Sequence, residues 1–309
     1  MPRLLRKPSS ARPVGLDVDG RHVAAVELEG RRVVKAAAAE VPVGAVRDGE
    51  VADEEALSEA LKDLFASNGL SRTVHLGVAN QHIVVRQIDL PEIDDEEQRE
   101  QAVRFQAAEA IAMPLDEAVL DYQVTGVAEA PGGPPQMKVV VVAARRSMVE
   151  ALTKAVRGAG LKPHGIDLSA FSLVRILATP DAGSDAAQVF CHLGAVTNLA
   201  IAVGSTCLFT RPLSTQPEGD PMEVAAAMAD EIRLSIDYYM SQPGALPVRD
   251  LVVSGPGARS LGLVEELASR LALPATVAKP LGTLDPSGVG EDDAYRYTIA
   301  AGLALGAAT

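Results

Sequence analysis

Tryptophan is absent from these 309 residues, and aromatic side chains make up only 3% of them. Proteins that hold single-stranded nucleic acid stack the bases on aromatic rings, and this chain lacks that platform. An excess of positive charge is missing as well. The 28 Lys and Arg face 41 Asp and Glu, a net charge of −13. Contact with a phosphate backbone needs the opposite balance, which argues against nucleic acid as a partner. Only two cysteines occur, Cys191 and Cys207, both in apolar runs, with no CxxC and no HxxxH among five scattered histidines. That spacing builds no His/Cys metal site, and buried thiols in a reducing compartment are the expectation. Although 48% of the chain is hydrophobic, no apolar run is long enough to cross a bilayer. Residues 1–13 hold Arg3, Arg6, Lys7 and Arg12 but no signal-peptide core, and read as a flexible basic leader of a cytoplasmic protein.

What the chain does have is one pattern written twice. The first copy runs from Val14-Gly15-Leu16-Asp17-Val18-Asp19-Gly20-Arg21 through strands at 22–28 and 31–37. The second runs from Val189-Phe190-Cys191-His192-Leu193-Gly194-Ala195-Val196 through strands at 197–203 and 206–213. Each copy is an apolar strand, a turn, and two more strands joined at a Gly-containing corner (Glu29-Gly30, Gly204-Ser205). The repeat predicts two related halves facing one another, with both turns on the cleft between them. Turns of this kind can cradle anions through closely spaced backbone N–H groups.

Between and after the copies, strands alternate with helices, which predicts an α/β fold with a mixed sheet in each half. Helical spacing of Leu57, Leu61, Leu64 and Phe65 marks a helix over 53–68, stopped by Gly69. Residues 94–112 read as the strongest helix, opened by Asp94, Asp95, Glu96 and Glu97 and striped by Ala102, Phe105, Ala108 and Ile111. A Pro/Gly-rich turn is expected at 128–136, between strands at 119–126 and 137–144, so that 81–144 forms a small α/β insertion. Helices are also expected at 147–159, 171–177, 222–240 and 294–305, and a boundary between the halves at 180–185. A strand at 250–253 meets Ser254-Gly255-Pro256-Gly257-Ala258, predicted as a strand-to-helix turn.

Asp17 has two readings on its residues alone: a carboxylate holding Mg²⁺ through water, or one satisfied by the turn backbone. Asp19 would bring negative charge near phosphate oxygens, at a cost to binding unless a cation intervenes. Arg21 could answer that charge by contacting phosphate or by pairing with Asp19. No Ser–His–Asp or Cys–His constellation is visible, and the expectation is a protein without catalytic residues.

The stretch AVRFQAAEAIAMPLDEAVLDY (102–122), with 14–28, 140–145, 159–163, 167–171, 254–263 and 300–306, resembles the PilM family, actin-like proteins of type IV pilus assembly. The resemblance implies an actin-like (ribonuclease H-like) two-domain fold. Residues 14–80 and 145–185 would form the first half, 81–144 an inserted α/β subdomain, and 186–309 a second half with a reduced insertion. It implies a cytoplasmic scaffold, peripheral at the inner membrane, that binds the N-terminal tail of a PilN-like membrane protein in a groove between the first half and 81–144. Phe105, Glu109, Ile111 and Tyr122 are the partner-binding candidates. Other pilus platform or motor components are further implied partners, and self-association is left open. ATP with Mg²⁺ would fall on Asp17, Gly20, Arg21, Gly194, Ala195, Thr197, Asn198, Gly255, Gly257 and Ala258. The chain departs from the family there, with Asp19-Gly20-Arg21 in place of Gly-Ser-Ser, Ala24 in place of a Lys and His192 in place of an Asp. Those losses imply weak or absent ATP binding, with a nucleotide-dependent switch or filament former as the alternative.

Overall fold

The duplicated pattern becomes two five-stranded sheets of one topology in the computed structural model, which describes residues 14–128, 135–178, 185–287, 289–290 and 294–307. In the first half, β1 (Val14–Asp19), β2 (His22–Glu29) and β3 (Arg32–Glu40) form an antiparallel meander. A short hairpin, β4 (Val46–Arg47) and β5 (Glu50–Val51), leads into α1 (Glu54–Asn68). Asp53 caps α1 by accepting from the Ala56 N–H at 3.0 Å, and Gly69 ends it at φ 56°. Strand β6 (Thr73–Val78) then adds parallel to β1.

The insertion follows as β7 (Val84–Pro91), α2 (Glu96–Ala110), β8 (Ala118–Ala128) and β9 (Gln136–Arg145). Its antiparallel sheet has the order β7-β9-β8. The chain returns through α3 (Arg146–Gly158), β10 (Lys162–Leu168) and α4 (Ser169–Leu177), giving the first sheet the order β10-β6-β1-β2-β3. The second half repeats this plan with β11 (Ala187–Leu193), β12 (Thr197–Val203), β13 (Thr206–Leu213), α5 (Pro221–Met240), β14 (Val248–Ser254), α6 (Leu263–Leu271), β15 (Ala275–Val277) and α7 (Thr298–Gly306). Its sheet order is β13-β12-β11-β14-β15. Where the first half carries its insertion, between β6 and α3, the second has a 3-10 turn, Pro256–Arg259, between β14 and α6.

The halves are joined by exchanging their last helices. Ala170, Leu173 and Val174 of α4 pack with Phe190, Ala200 and Ala202 of the second sheet. Ala300, Ala301 and Ala304 of α7 pack with Ala24, Val26 and Leu28 of the first. Two glycines permit this close approach: a Cβ on Gly15 would strike the Ala300 carbonyl, and one on Gly302 the Ser172 carbonyl. The Gly302-x-x-x-Gly306 spacing therefore serves helix packing inside the protein. Among the described residues no helix is long and apolar enough to cross a membrane.

Some expectations need correction. The stripe Ala102–Phe105–Ala108–Ile111 is not the buried face of α2, which buries Val103 and Ala107 instead. Phe105 is 67% exposed, and Ile111 lies past the last helical turn, extended and buried among the strands. A strict three-residue step drifts by about 60° per repeat on a helix of 3.6 residues per turn, so four such positions cannot share one face. The Ser254–Ala258 turn does not open directly into a helix, because the 3-10 turn intervenes before α6. Likewise, the last helix splits into a 3-10 turn, Ala294–Tyr297, and α7. The leader at 1–13 lies outside the described residues, as do most of the turn at 128–136 and of the boundary at 180–185.

Candidate functional site

The two equivalent turns meet across the interface between the halves. Asp19 ends β1, and its carboxylate reaches the turn after β11, 176 residues away. There the Ala195 N–H donates to Asp19 Oδ2 at 2.8 Å and the Val196 N–H donates to Oδ1 at 2.7 Å. Two successive amides aimed at one anion form the cradle expected of this turn, and the anion is a side chain of the chain itself. Gly194 makes the approach possible, because a Cβ there would collide with Asp19 Oδ2. Gly20, at φ 59°, brings the two turns close, and a Cβ on it would lie 2.8 Å from the Ala195 Cβ.

Around this contact lies a cleft of about 280 Å³ lined by Asp17, Arg21, His192, Pro217, Glu218 and Gly257 among others. Burial, with the Asp19 charge adding to it, lifts the Asp17 carboxyl well above the usual carboxylate range. Burial raises Asp19 too, while the two amides pull it back. His192 is driven down to about 4 by burial alone and is therefore neutral near pH 7.

A short loop closes one side of the cleft. Glu231 on α5 accepts from the Ser214 and Thr215 N–H groups, each at 2.8 Å, and from Thr215 Oγ1 at 2.6 Å. Burial pushes Glu231 up, but these bonds outweigh it and hold the carboxyl below its usual range. Asp220 caps α5 at the other end of the loop. Pro217 is thereby set against Gly257, where a Cβ would come within 2.6 Å of the proline ring.

Of the cleft residues expected from the sequence, Asp17, Arg21, Gly194, Ala195 and Gly257 line the space, and Gly20 supports it. Thr197, Asn198, Gly255 and Ala258 do not line it. Thr197 is fully buried, and its hydroxyl has no hydrogen-bond partner. Asn198 Nδ2 donates to the Val196 carbonyl at 3.3 Å. Gly255, at φ 85°, backs onto the Leu193 backbone, and Ala258 sits in the second-half core. Pro217 and Glu218 also line the cleft, and the sequence carries no sign of it, because loop length does not tell where a loop lies.

A second concavity of about 370 Å³ separates the insertion from the first half. One wall comes from β8, with Val119, Asp121 and Tyr122, and the other from β10, with Ile166 and Asp167. Both are outer strands of their sheets, and Val140 and Val142 of β9 give the groove an apolar floor. Arg175 Nη1 lies 2.8 Å from Asp167 Oδ2 and donates to the Gly302 carbonyl at 3.1 Å. His75 Nδ1 is buried here without a partner, and its Nε2 stands 3.9 Å from Asp167 Oδ2. Burial lowers the His75 pKa, against the opposing pull of Asp167.

Of the four partner-binding candidates only Tyr122 lines this groove, with its hydroxyl accepting from Arg99 Nε at 3.2 Å. Phe105 and Glu109 stand exposed on α2, and Ile111 is buried in the core of the insertion. Ile166, Asp167 and Arg175 line it without any signal in the sequence, because nothing local ties β10 to β8.

Solved structures share this architecture. The PilM-PilN type IV pilus biogenesis complex contains a chain of 24% identity that matches with a TM-score of 0.84, over 96% of this chain and 99% of that one. MreB5 of Spiroplasma citri, solved bound to ADP, matches at 13% identity and TM-score 0.54, over 96% of each chain. Ethanolamine utilization protein EutJ from Carboxydothermus hydrogenoformans matches at 15% identity and TM-score 0.53, over 97% of this chain and 90% of that one. Duplicated sheets, exchanged helices and facing turns thus define an actin-like two-domain protein with a small α/β insertion. The profile of the family described as type IV pilus assembly protein PilM matches residues 15–215. The chain belongs to that family.

Proposed function

We propose that this protein is a cytoplasmic scaffold of a type IV pilus machine that captures the N-terminal cytoplasmic tail of a PilN-like inner-membrane protein. The observation that carries this reading is the groove between β8 and β10. An extended peptide can add to an open strand edge through its backbone while its alternate side chains enter an apolar floor. Here two outer strands flank such a floor. Family membership and the relative solved in complex with PilN support the same reading. Attachment to the membrane then runs through the partner, and the role is binding, without a catalytic step. The test is calorimetric titration of the full chain with a synthetic peptide of the PilN-type tail. Micromolar binding that Ile166→Glu removes is expected, and absence of heat with the unaltered chain would refute the assignment.

The inter-half cleft is read as a nucleotide site that no longer fits its ligand. The amides that would receive a phosphate are held by Asp19, and Glu218 adds a second negative charge beside them. Pro217 covers the Gly257 turn, where an adenosine would need backbone access. A second reading, an ATP-binding switch or filament former with Asp17 holding hydrated Mg²⁺, draws on the cleft volume and on the ADP-bound relative. Tight Mg-ATP binding abolished by Asp17→Ala would decide for that alternative.

A further inference from the structure

We propose that Asp19 is a built-in anionic ligand that ties the two halves together, taking the place of a bound phosphate as the bridge across the cleft. The proposal rests on the reading of the cleft as a lost nucleotide site and states what replaced the nucleotide. A phosphate bridging two such halves would accept N–H groups from facing turns. Here the first turn supplies the anion and the second supplies the amides, so the bridge is covalently part of the chain. Both oxygens are engaged, at 2.8 and 2.7 Å, by consecutive amides, a bidentate geometry that a stray surface carboxylate does not hold.

The surroundings are shaped to this carboxylate. Gly194 vacates the volume that Asp19 Oδ2 fills, and Gly20 lets the turns close. Cys191 and Leu193, on the strand before the amides, are fully buried, so the donor turn is anchored to the second-half core. Val14 and Leu16 anchor the strand that carries the accepting carboxylate in the same way. The carboxylate therefore couples the two halves within the cleft. The exchanged helices α4 and α7 couple them as well. With both ties in place the closed arrangement needs no ligand, and the halves hold one relative orientation with the groove for a partner built on the first.

The test is made on the full chain and on Asp19→Ser. Amide exchange by NMR reads the Ala195 and Val196 N–H groups directly. Both should be protected in the unaltered protein and exchange roughly tenfold faster or more in Asp19→Ser, the factor that one charge-assisted hydrogen bond carries. Amides in the middle of β12 should keep their rates. Gly194→Ala, which leaves Asp19 in place but puts a methyl in its seat, should give the same local acceleration. Spin labels at Val43→Cys and Leu261→Cys, exposed positions on different halves, should give a narrow distance distribution that broadens in Asp19→Ser. Equal exchange of the two amides with and without the carboxylate would overturn the proposal, as would acceleration spread evenly over β11 and β12. Heat on titrating Mg-ATP into the unaltered protein reports separately on the underlying reading, since it measures nucleotide affinity and not the exchange of these amides.

Discussion

The imidazole of His192 lies 3.0 Å from the hydroxyl of Ser254, its register partner on the neighbouring parallel strand. The pair sits where β11 and β14 open toward the cleft, and both side chains are buried. A neutral ring can share one hydrogen with the hydroxyl. A protonated ring would have to carry its charge without water, which is why burial drives its pKa to about 4.

The consequence is a defined pH dependence. Between pH 6.5 and about 4 the unfolded chain binds a proton at this position that the folded protein refuses, so stability falls on acidification through that window. A displacement of this size corresponds to roughly 3 kcal/mol. Glu231, held below its usual range, acts in the same direction at lower pH, because its stabilising contribution is lost as the carboxylate is protonated. Asp17 and Asp19 act oppositely, since raised carboxyl pKa values favour the folded state as pH falls. The His192 part is isolated by comparing the unaltered chain with His192→Gln in urea at several pH values. Their stability difference should narrow or reverse toward pH 4, and a constant difference from pH 7 to 4 would contradict the assignment.

Gly302→Ala should destabilise the protein by about 2 kcal/mol or more, because the methyl meets the Ser172 carbonyl of α4 and backbone cannot move aside cheaply. Gly30→Ala is the comparison. Gly30 sits at φ 59° with open space around it, so only the left-handed backbone is penalised, by about 1 kcal/mol. Urea midpoints measure both, and equal losses would show that the helix contact is not the constraint.

Both thiols should be inert in the folded protein. Cys191 and Cys207 are free and buried, and burial pushes each up to about 12. Thiolate is the reactive form, so a chromogenic disulfide reagent at pH 8 should report no thiol in the native state and both after denaturation. Labelling of the native protein within minutes would contradict this burial.

In the groove, Ile166→Glu should weaken a PilN-type peptide by about tenfold or more, since a charge enters an apolar wall. Ile166 is already 38% exposed, so the substitution should leave the fold intact. Phe105→Ala should change affinity by less than about twofold, because that side chain stands outside the groove on α2. Calorimetry on both variants distinguishes the two surfaces, and a strong effect of Phe105→Ala alone would move the partner site to α2.

Strand-scale organisation was legible because it depends on local pattern. The Val14–Asp19 and Ala187–Leu193 strands, the Gly30 and Gly204 corners and the buried face of α1 all follow from period and turn chemistry. The buried face of α2 is not legible in the sequence, because alanines carry little directional signal and the three-residue step mimics a stripe. In the cleft, Asp19 was legible as an anomaly in a phosphate-binding turn, and Arg21 was a reasonable partner for it. The structure gives that role to the Ala195 and Val196 amides, which have no side-chain signature.

By itself, then, the sequence determined the two copies of the meander, the turn after each opening strand and the negative charge placed in the first of them, since each is a property of a few adjacent residues. Only the tertiary structure decided that this charge lies in the opposite turn, that Pro217 covers the Gly257 turn, and that β8 and β10 leave a groove between their edges. Those relationships join residues far apart in the chain. They are fixed by how the exchanged helices α4 and α7 set one half against the other, and by how the insertion rests on the first sheet.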